Sequence, residues 1–557
     1  RYHPLLRQVL IEELRHRRPQ EVSRLHVRAA DWYARNGPAS HAIHHYLAAG
    51  EWAVAVDLLA QDWTEVVAGT RHDVHADPVA APEDLVRDDA DLALAFAADR
   101  LYCDDRTGVH AFVRLAERLA ERPDHRAQRR ADGRDAMIAA FRLVDAQLND
   151  EHDEVLSTAD RILTADTGSV LPNRPLALIA IGETRMLVGD FGGAREPLRT
   201  ALTAADEAAQ DQLRLAAASR LALVHLFLGH LVDAEHAART TLALTRRYAG
   251  NGGENEERAR IALASVALDR YQLDEATYHL DRVFEAGPPS RPSLHVLAWT
   301  TRLRVQAVAG DPAGALSGLS ALRRDVAPAD LADPAVAWGL AYAAIEFHVA
   351  GGDRSAARRQ LGDLERSALP APWIAVLRAR LHMAERQPVR AAGAAAPYVD
   401  PLDDATPRGL AVELCLVHAW AVQLLGNQAK SARSLETALR LTDEEGFRLA
   451  YHRLGPPLTD LLHAHVRAGT SYPGPATEIS ASLAADTPTA AHLLEPLSER
   501  ERTVLRHVQD VMSNVEVAAA MSVSVNTVKT HLRNIYRKLG TDSRREAIRR
   551  AHLRGEI

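Results

Sequence analysis

Residues 513–540 read SNVEVAAAMSVSVNTVKTHLRNIYRKLG, and this stretch contains the clearest local signals in the chain. It opens with a Ser-x-x-Glu box at Ser513, in which the serine and the glutamate three residues later cap a helix start reciprocally. Two more such boxes begin at Ser498 and Ser543. Ser524 is a further candidate N-cap, and the final glycine is a natural helix stop. The stretch and its flanks therefore predict four short helices separated by tight turns.

The third of these helices has two faces of different chemistry. Helical periodicity places four apolar residues on one stripe, namely Val528, Leu532, Ile535 and Leu539. The opposite stripe has no acid and consists of Asn526, Lys529, Thr530, Arg533 and Arg537. Lys and Arg can read guanine edges in a major groove, and a Thr methyl can contact thymine. An isolated basic stripe is more often a solvated helix face, but the preceding helix ends in a brief Ser522-Val523 turn, as a helix-turn-helix requires. The pattern favours DNA binding.

Residues 497 to 550 resemble the LuxR-type DNA-binding domain in the motifs LSERERTVLRHV, MSNVEVAAAMSVSVNTVKTHLRNIYRKLG and SRREAI. The resemblance implies that bases are read by Lys529, Thr530 and Arg533. It implies DNA backbone contacts from Ser524, Asn526, Thr527, Arg537 and Lys538. Phosphate contacts would position the helix, and base contacts would specify the site.

The same resemblance implies dimerisation through the last helix, from Ser543 to about Leu553. The contacts it suggests there are Ala547, Ile548 and Ala551. Two residues depart from the family pattern. Val511 stands where a glycine is common before the second helix, and Val515 replaces a frequent Lys or Arg. Since one basic group is lost, we expect weaker phosphate affinity.

Charge is distributed unequally along the chain. Residues 496–557 contain 12 Lys and Arg against 7 Asp and Glu, a net charge of +5, whereas the remainder contains 54 against 67, a net of −13. An acidic body does not attract DNA. We therefore expect binding to come from the terminal region and to weaken strongly with salt.

Composition limits the class of protein. The 557 residues are rich in Ala, Leu and Arg, which favours helix almost throughout. No run of about 18 apolar residues predicts a membrane span, and the N-terminus lacks a signal segment. Cys103 and Cys415 are too far apart to indicate a disulfide framework or a metal knuckle. We expect two buried thiols in a cytoplasmic, nucleoid-associated protein that does not bind membranes.

A recurring turn organises the middle of the chain. It appears as GDFGGA from Gly189, GHLVDA from Gly229, YQLDEA from Tyr271, GDPAGA from Gly310 and GDRSAA from Gly352, at steps of 40, 42, 39 and 42 residues. Weaker copies begin at Arg386 and Gly426. Each copy lies between two apolar helical stretches, and its sixth residue is small enough for close helix packing. Stacked helix pairs predict an all-α superhelical solenoid with a concave face, because the Gly turns interrupt any sustained coiled-coil heptad.

These repeats resemble the tetratricopeptide (TPR) type, although their period exceeds the usual 34 residues and the signature aromatics are mostly absent. The N-terminal RYHPLLRQVLIEEL and LHVRAADWYARNGPASHAIHHYLAAGEWAVAVDLLA are similar to a segment of MalT-like regulators, the large ATP-dependent branch of LuxR-type proteins. The resemblance implies four parts: a winged-helix tail or arm at 1–65, a TPR-like sensor at 66–467, a linker at 468–495 and the DNA-binding domain at 496–557. Within the linker, Glu478 to Ala485 is expected to form a short helix.

No pattern of residues predicts catalysis. A phosphate loop needs Gly-x-x-x-x-Gly-Lys-Ser/Thr, and the nearest sequence, GNQAKS from Gly426, lacks the second glycine. Gly-x-Ser-x-Gly and His-Glu-x-x-His are also absent. The cluster of His41, His44 and His45 is expected to be structural rather than metal-binding. We expect no enzyme activity and no cofactor in this chain; ATP would belong to a module that the family places before Arg1, so the chain resembles a fragment.

These features predict a transcriptional regulator, an activator by resemblance, that senses an unidentified small-molecule or protein inducer through its solenoid. Its expected partners are double-stranded promoter DNA, further copies of itself on DNA and, as an additional candidate, RNA polymerase. The alternative is a helical-repeat scaffold for protein interactions whose DNA binding is weak and non-specific. Preference for one duplex over random sequence distinguishes the two.

Overall fold

The structure is a computed structural model that describes residues 13–14, 17–68, 76–121, 131–149, 151–164, 173–247, 253–289, 291–367, 369–402, 406–486, 499–509, 512–521, 523–539, 544, 547–548 and 551. Within these ranges the regular structure is helical, without a strand, so the predicted all-α class is confirmed. The chain divides into two compact units. The first contains Arg1–Leu454 and Ala464–Pro475, and the second contains Gly455–His463 and Ala476–Ile557.

The first half of the chain folds into twelve helices within the described residues. They are Pro19–Asn36 (α1), Ala39–Ala49 (α2), Trp52–Ala68 (α3), Glu83–Val86 (α4), Ala90–Tyr102 (α5), Arg106–Ala120 (α6), Ala131–Leu148 (α7), His152–Thr164 (α8), Arg174–Leu187 (α9), Phe191–Glu207 (α10), Asp211–Leu228 (α11) and Leu231–Arg247 (α12).

The second half continues in the same manner. Its described helices are Gly253–Asp269 (α13), Leu273–Glu285 (α14), Pro292–Val308 (α15), Pro312–Asp325 (α16), Pro334–Ala350 (α17), Arg354–Leu364 (α18), Ala371–Ala384 (α19), Pro388–Ala395 (α20), Arg408–Leu424 (α21), Gln428–Glu445 (α22), Leu449–Leu454 (α23), Pro456–Ala468 (α24), Pro473–Asp486 (α25), Glu499–Gln509 (α26), Asn514–Ala520 (α27) and Val525–Leu539 (α28). Short 3-10 turns lie at Asp330–Ala332 and Ala396–Tyr398. No described helix is long and apolar enough to cross a membrane.

All seven predicted repeat turns place their first residue in the left-handed backbone region, with φ between 59° and 104°. Five of these residues are glycine, which adopts positive φ without a steric penalty. The residue five positions later is buried in every copy, with six alanines at 0% exposure and Ser431 at 2%. The predicted repeat unit, two helices joined by a tight turn, is therefore confirmed. The small residue lies where the two helices of a pair meet.

In four of the seven predicted repeats, the side chain of the residue that follows the turn caps the second helix of the pair. Asp190 and Asp311 each accept a backbone N–H from the residue three positions later at 2.8 Å. Asp353 and Asn427 do the same at 3.0 and 3.1 Å. Such side-chain caps satisfy backbone donors that the first helical turn leaves unpaired. The turn and the cap together fix the angle at which the chain re-enters a helix.

Two further turns of this kind lie upstream of the predicted repeats. Gly50, between α2 and α3, has φ 83°, and Asp104, between α5 and α6, has φ 56°. One continuous apolar core then runs from Ala30 to Val224. The boundary predicted at 65/66 therefore does not coincide with a break in packing, and helical pairs begin before it.

The two helices of a pair are buried to different extents. The first helices are buried on several sides, as in α11, where Leu213, Ser219 and Val224 all lie inside. The second helices bury a single stripe, as in α10, where Ala194, Leu198 and Ala201 are buried. An apolar stripe on one side indicates one packed face and one solvated face. The first helices therefore form the inner layer of the repeats.

The predicted linker contains more helix than expected. Helix α25 spans Pro473–Asp486, whereas only Glu478 to Ala485 was predicted to be helical. Ala476, Ile479 and Leu483 are buried at helical spacing, which explains the longer helix. Residues 487–495 of that segment lie outside the described ranges.

Candidate functional site

Helix α27 begins at the predicted capping box. The backbone N–H of Ser513 donates to Glu516 Oε2 at 2.7 Å, and the backbone N–H of Glu516 donates to Ser513 Oγ at 3.4 Å. These hydrogen bonds hold the pKa of Glu516 below its usual value. The box at Ser513 is therefore confirmed, while Ser498 and Ser543 lie outside the described residues.

Helix α28 begins at Val525, directly after Ser524, which caps it as predicted. Ser524 Oγ accepts the backbone N–H of Thr527 at 3.1 Å and lies 2.8 Å from Thr527 Oγ1. Ser524 is exposed and Thr527 is half-buried. These two of the five residues predicted to contact the DNA backbone lie at the N-terminal end of the helix. The unpaired N–H groups of a helix N-terminus attract phosphate. Their capping role is compatible with a backbone contact.

The two faces of α28 separate as the sequence indicates. Val528, Leu532 and Ile535 are buried in a core shared with α26 and α27, while the side chain of Leu539 lies outside the described residues. The three predicted base-reading residues are exposed on the opposite face, namely Lys529, Thr530 and Arg533. Asn526, Arg537 and Lys538 also lie on α28, but their side chains are outside the described part. The helix therefore presents a polar, cationic face to solvent.

The residues predicted to form a dimer contact are placed differently. Ala547 and Ala551 are fully buried in the core of their own domain, and Ile548 packs partly against that core. The two alanines are thus unavailable to a second copy, which corrects that part of the prediction. A stripe of small apolar residues indicates a packed face, but it does not indicate which surface covers it. Dimerisation through Ile548 stays a prediction.

Arg544 has a role that sequence reasoning missed. Its guanidinium donates to the carbonyl oxygens of Val508, at 3.3 Å, and Met512. These bonds join the end of the chain to the turn that precedes α27. No local pattern distinguishes Arg544 from the basic residues around it, so only the fold reveals this contact.

A second candidate site is a cavity of about 300 Å³ in the first unit, called here the inner cavity. Its walls come from the inner-layer helices α9, α11, α13, α15, α17, α19 and α21, with α23 and the first residue of α10. An aromatic row crosses it: the ring centroids of Phe191 and Phe227 are 4.5 Å apart, those of Phe227 and Trp373 6.3 Å, and those of Trp373 and Tyr342 5.6 Å. The sequence predicted a concave face but not its residues.

One group of buried charges, the Glu183 cluster, lies on the wall of the inner cavity. It consists of Glu183, Arg220, Glu254, Arg258 and Arg291. Glu183 pairs with Arg220 at 2.9 Å and with Arg291 at 3.0 Å. Burial alone would raise the pKa of Glu183, but the surrounding guanidinium groups outweigh it and hold that pKa far below its usual range. Burial and the neighbouring Arg220 lower the pKa of Arg258 to about 10.

A second group, the Glu346 cluster, consists of Arg304, Glu346, Arg380, Glu413 and Arg453. Glu346 is 3% exposed and pairs with Arg304 at 2.7 Å and with Arg380 and Arg453 at 3.0 Å each. Burial would raise the pKa of Glu346, but these three cations lower it to about 2. Buried ions are tolerated only when they are paired in this way.

A group near the histidine cluster has the composition of a metal site. Ligand atoms of His44, Asp99 and Cys103 lie within 4.8 Å of one another. Asp99, however, already accepts from His44 at 2.7 Å and from Arg100 at 2.6 Å. Burial raises the pKa of Cys103 to about 12, so its thiol stays protonated, and a metal would need the thiolate. These contacts favour a structural role for the group.

The comparisons with known proteins fit both sites. The family described as MalT-like TPR region matches residues 136–468, more than half of the chain. The chain belongs to this MalT-like family. The family described as bacterial regulatory proteins, luxR family, matches residues 495–551. The exposed face of α28 lies in the part of this MalT-like chain that matches the luxR family, and the inner cavity lies mainly in the part that matches the TPR region.

One curated relative is the HTH-type transcriptional regulator MalT of Serratia proteamaculans (strain 568). It is 43% identical over 56 residues, which is 10% of this chain and 6% of that protein's length. The match therefore covers a small part of both proteins.

Proposed function

We propose that this regulator reads a specific promoter sequence through α28 and that an inducer in the inner cavity controls that reading. The observation that supports sequence reading is the exposed face of Lys529, Thr530 and Arg533 opposite a buried apolar stripe. In a major groove, the two cations would donate to guanine O6 and N7, and the threonine methyl would contact thymine. Ser524 and Thr527 would lie beside phosphates at the helix start.

Charge supports a local DNA contact. The region from 496 onward has a net charge of +5 on a chain whose total is −8. Each phosphate that Lys or Arg neutralises releases counterions, so affinity should fall steeply as salt rises. The acidic remainder would add no general attraction for DNA.

The inner cavity supports a sensing role because its walls come from distant parts of the chain. Across one edge, the backbone N–H of Val232 donates to Glu445 Oε2 at 3.1 Å, and that of Arg448 donates to the Asp269 carbonyl at 2.8 Å. A ligand that contacts both sides stabilises one arrangement of the repeats over others. A volume of about 300 Å³ is at the lower end of small-molecule pockets.

We extend the proposal to activation in the cytoplasm. Inducer binding would change assembly and bring DNA-binding domains together on adjacent sites, where linked domains gain affinity through effective concentration. RNA polymerase would then be recruited to the promoter.

Selection of duplexes from a random pool by the full chain tests the proposal. We expect an enriched motif, and we expect Lys529→Ala and Arg533→Ala each to weaken binding to it by about 1–3 kcal/mol. Arg324→Ala, an exposed cation on α16, is the matched control and should bind like the wild type. Absence of enrichment, with binding indifferent to both α28 substitutions, would favour the protein-interaction scaffold.

A further inference from the structure

One charged side chain in the inner cavity differs from all the others. Every charged residue on its wall except Asp269 belongs to the Glu183 cluster or the Glu346 cluster. Asp269 is the last residue of α13 and is half-buried. No hydrogen bond or ion pair joins its carboxylate to any residue in the described ranges. Its backbone carbonyl accepts the backbone N–H of Arg448 at 2.8 Å.

The charges that face Asp269 explain why its carboxylate has no partner among the described residues. They are Arg304 from α15, Glu346 from α17, Glu413 from α21 and Arg453 from α23. The two arginines are held by Glu346, at 2.7 and 3.0 Å, and the two glutamates repel a further anion. Burial therefore prevails and raises the pKa of Asp269 to about 6. At neutral pH the cavity contains a carboxylate whose desolvation Arg453 and Arg304 offset only in part.

The rest of the wall is suited to an apolar body. Leu268 adjoins Asp269, and Leu297 lies on the same wall. The aromatic row ends at Tyr342. The Arg304 guanidinium carbon lies 5.4 Å from the centroid of the Tyr342 ring, so a cation already contacts an aromatic face in this part of the wall. Aromatic faces attract cations and pack against flat apolar groups.

We propose that the inner cavity binds a compact aryl-alkyl amine, whose ammonium group pairs with Asp269 while its ring lies along the aromatic row. The inference rests on the proposed role of the cavity as the inducer site, and it specifies the chemistry of the inducer. An organic anion is the less favoured ligand. Although the Glu183 cluster and the Glu346 cluster each have three arginines for two glutamates, every one of these arginines already forms an ion pair.

Calorimetric titration of the full chain with three matched probes tests the inference. The probes are 2-naphthylmethylamine, 2-naphthylmethanol and 2-naphthoate, which share a ring system and differ in charge. At pH 7.5 we expect the amine to bind about tenfold or more tightly than the alcohol, as a charged hydrogen bond provides. Asp269→Asn should abolish this preference and leave the affinity for the alcohol unchanged. Asp274→Asn, an exposed acid on α14, should retain the preference.

A second measurement needs no variant. In the wild type, affinity for the amine should fall as the pH is lowered through 6, because Asp269 becomes protonated, while affinity for the alcohol stays constant. An amine preference that is unchanged between pH 7.5 and 5 would overturn the inference. So would equal binding of amine and alcohol, a preference that survives in Asp269→Asn, tightest binding of the naphthoate, or no binding of any probe.

Failure here would be distinguishable from failure of the proposed function. The titrations contain no DNA, and the duplex selection contains no amine. Loss of the amine preference with an intact enriched motif would leave a regulator that has a different inducer.

Discussion

The exposed face of α28 and the wall of the inner cavity both contain arginine, but they hold it in opposite ways. Lys529 and Arg533 are exposed and form no ion pair with a described residue, whereas Arg258 and Arg380 are buried among carboxylates. A cation kept for phosphate or bases stays hydrated until DNA arrives. A cation inside the repeats must be neutralised by the fold itself. From this difference we infer that the group available to a ligand in the cavity is Asp269, whose carboxylate has no partner among the described residues, and not one of the abundant arginines.

The largest expected effect comes from breaking a buried cluster. Glu346→Gln leaves three guanidinium groups without their central carboxylate, and removing one partner of a buried pair costs about 3–5 kcal/mol. Chemical denaturation should show a loss of this size. The control is Glu365→Gln, which disrupts a more exposed pair with Arg378 and should change stability by at most about 1 kcal/mol. Equal effects of the two substitutions would contradict the distinction.

The next substitution, Asp269→Asn, is expected to increase the free energy of unfolding rather than to lower it. Folding raises the pKa of Asp269 from 3.8 to about 6, so the folded state favours the protonated form and loses relative stability as pH rises through this interval. Asp269→Asn removes that cost and should stabilise the protein by about 1–3 kcal/mol at pH 7.5. Near pH 4 the difference should disappear. Thermal melts of both proteins across this range check the sign, and a destabilised variant at pH 7.5 would refute it.

A smaller effect is expected in the DNA-binding domain. Ser513→Ala removes one half of the capping box of α27, which typically costs about 1 kcal/mol. Hydrogen exchange should report faster opening of α27 and its neighbours. Ser320→Ala, at an exposed position within α16, serves as the control and should leave exchange in the DNA-binding domain unchanged.

The smallest effect concerns the reading face itself. Lys529→Ala and Arg533→Ala should leave the free energy of unfolding within about 0.5 kcal/mol of the wild type, because both side chains are exposed and form no ion pair with a described residue. Chemical denaturation of the two variants tests this. A loss of several kcal/mol would mean that these cations support the fold and would remove the contrast with the cavity.

Local signals made much of the fold predictable. The period of α28 assigned Val528 and Ile535 to the core, and the repeat turns followed from glycines at positions that have positive φ. The turn at Asp104 departs from the pattern at both positions, because it has no glycine and has Val109 in place of the small residue, whereas the turn at Gly50, with Ala55 five positions later, fits the pattern and was not predicted. The repeat turns and the helical spacing of apolar residues depend on residues close together in the chain, so they can be recognised directly in the sequence.

The site was predictable only where it is local. The reading face lies on one helix, and its exposure follows from the same period that buries the other face. The inner cavity instead depends on pairs such as Arg258 with Glu183 and Arg453 with Glu346, which are 75 and 107 positions apart in sequence. No local pattern assigns such partners, and the exceptional position of Asp269 is apparent only once they are assigned.

The central claim is that the exposed cations of α28 read base sequence. Its most direct test is the ratio of affinities of the full chain for the selected duplex and a shuffled duplex at one salt concentration. We expect a high ratio for the wild type and for Arg324→Ala. In Arg533→Ala we expect the ratio to fall about tenfold, because affinity for the selected duplex falls while affinity for the shuffled duplex does not change. An unchanged ratio in Arg533→Ala, or equal weakening on both duplexes, would show that Arg533 binds phosphate or nothing, and would contradict the claim.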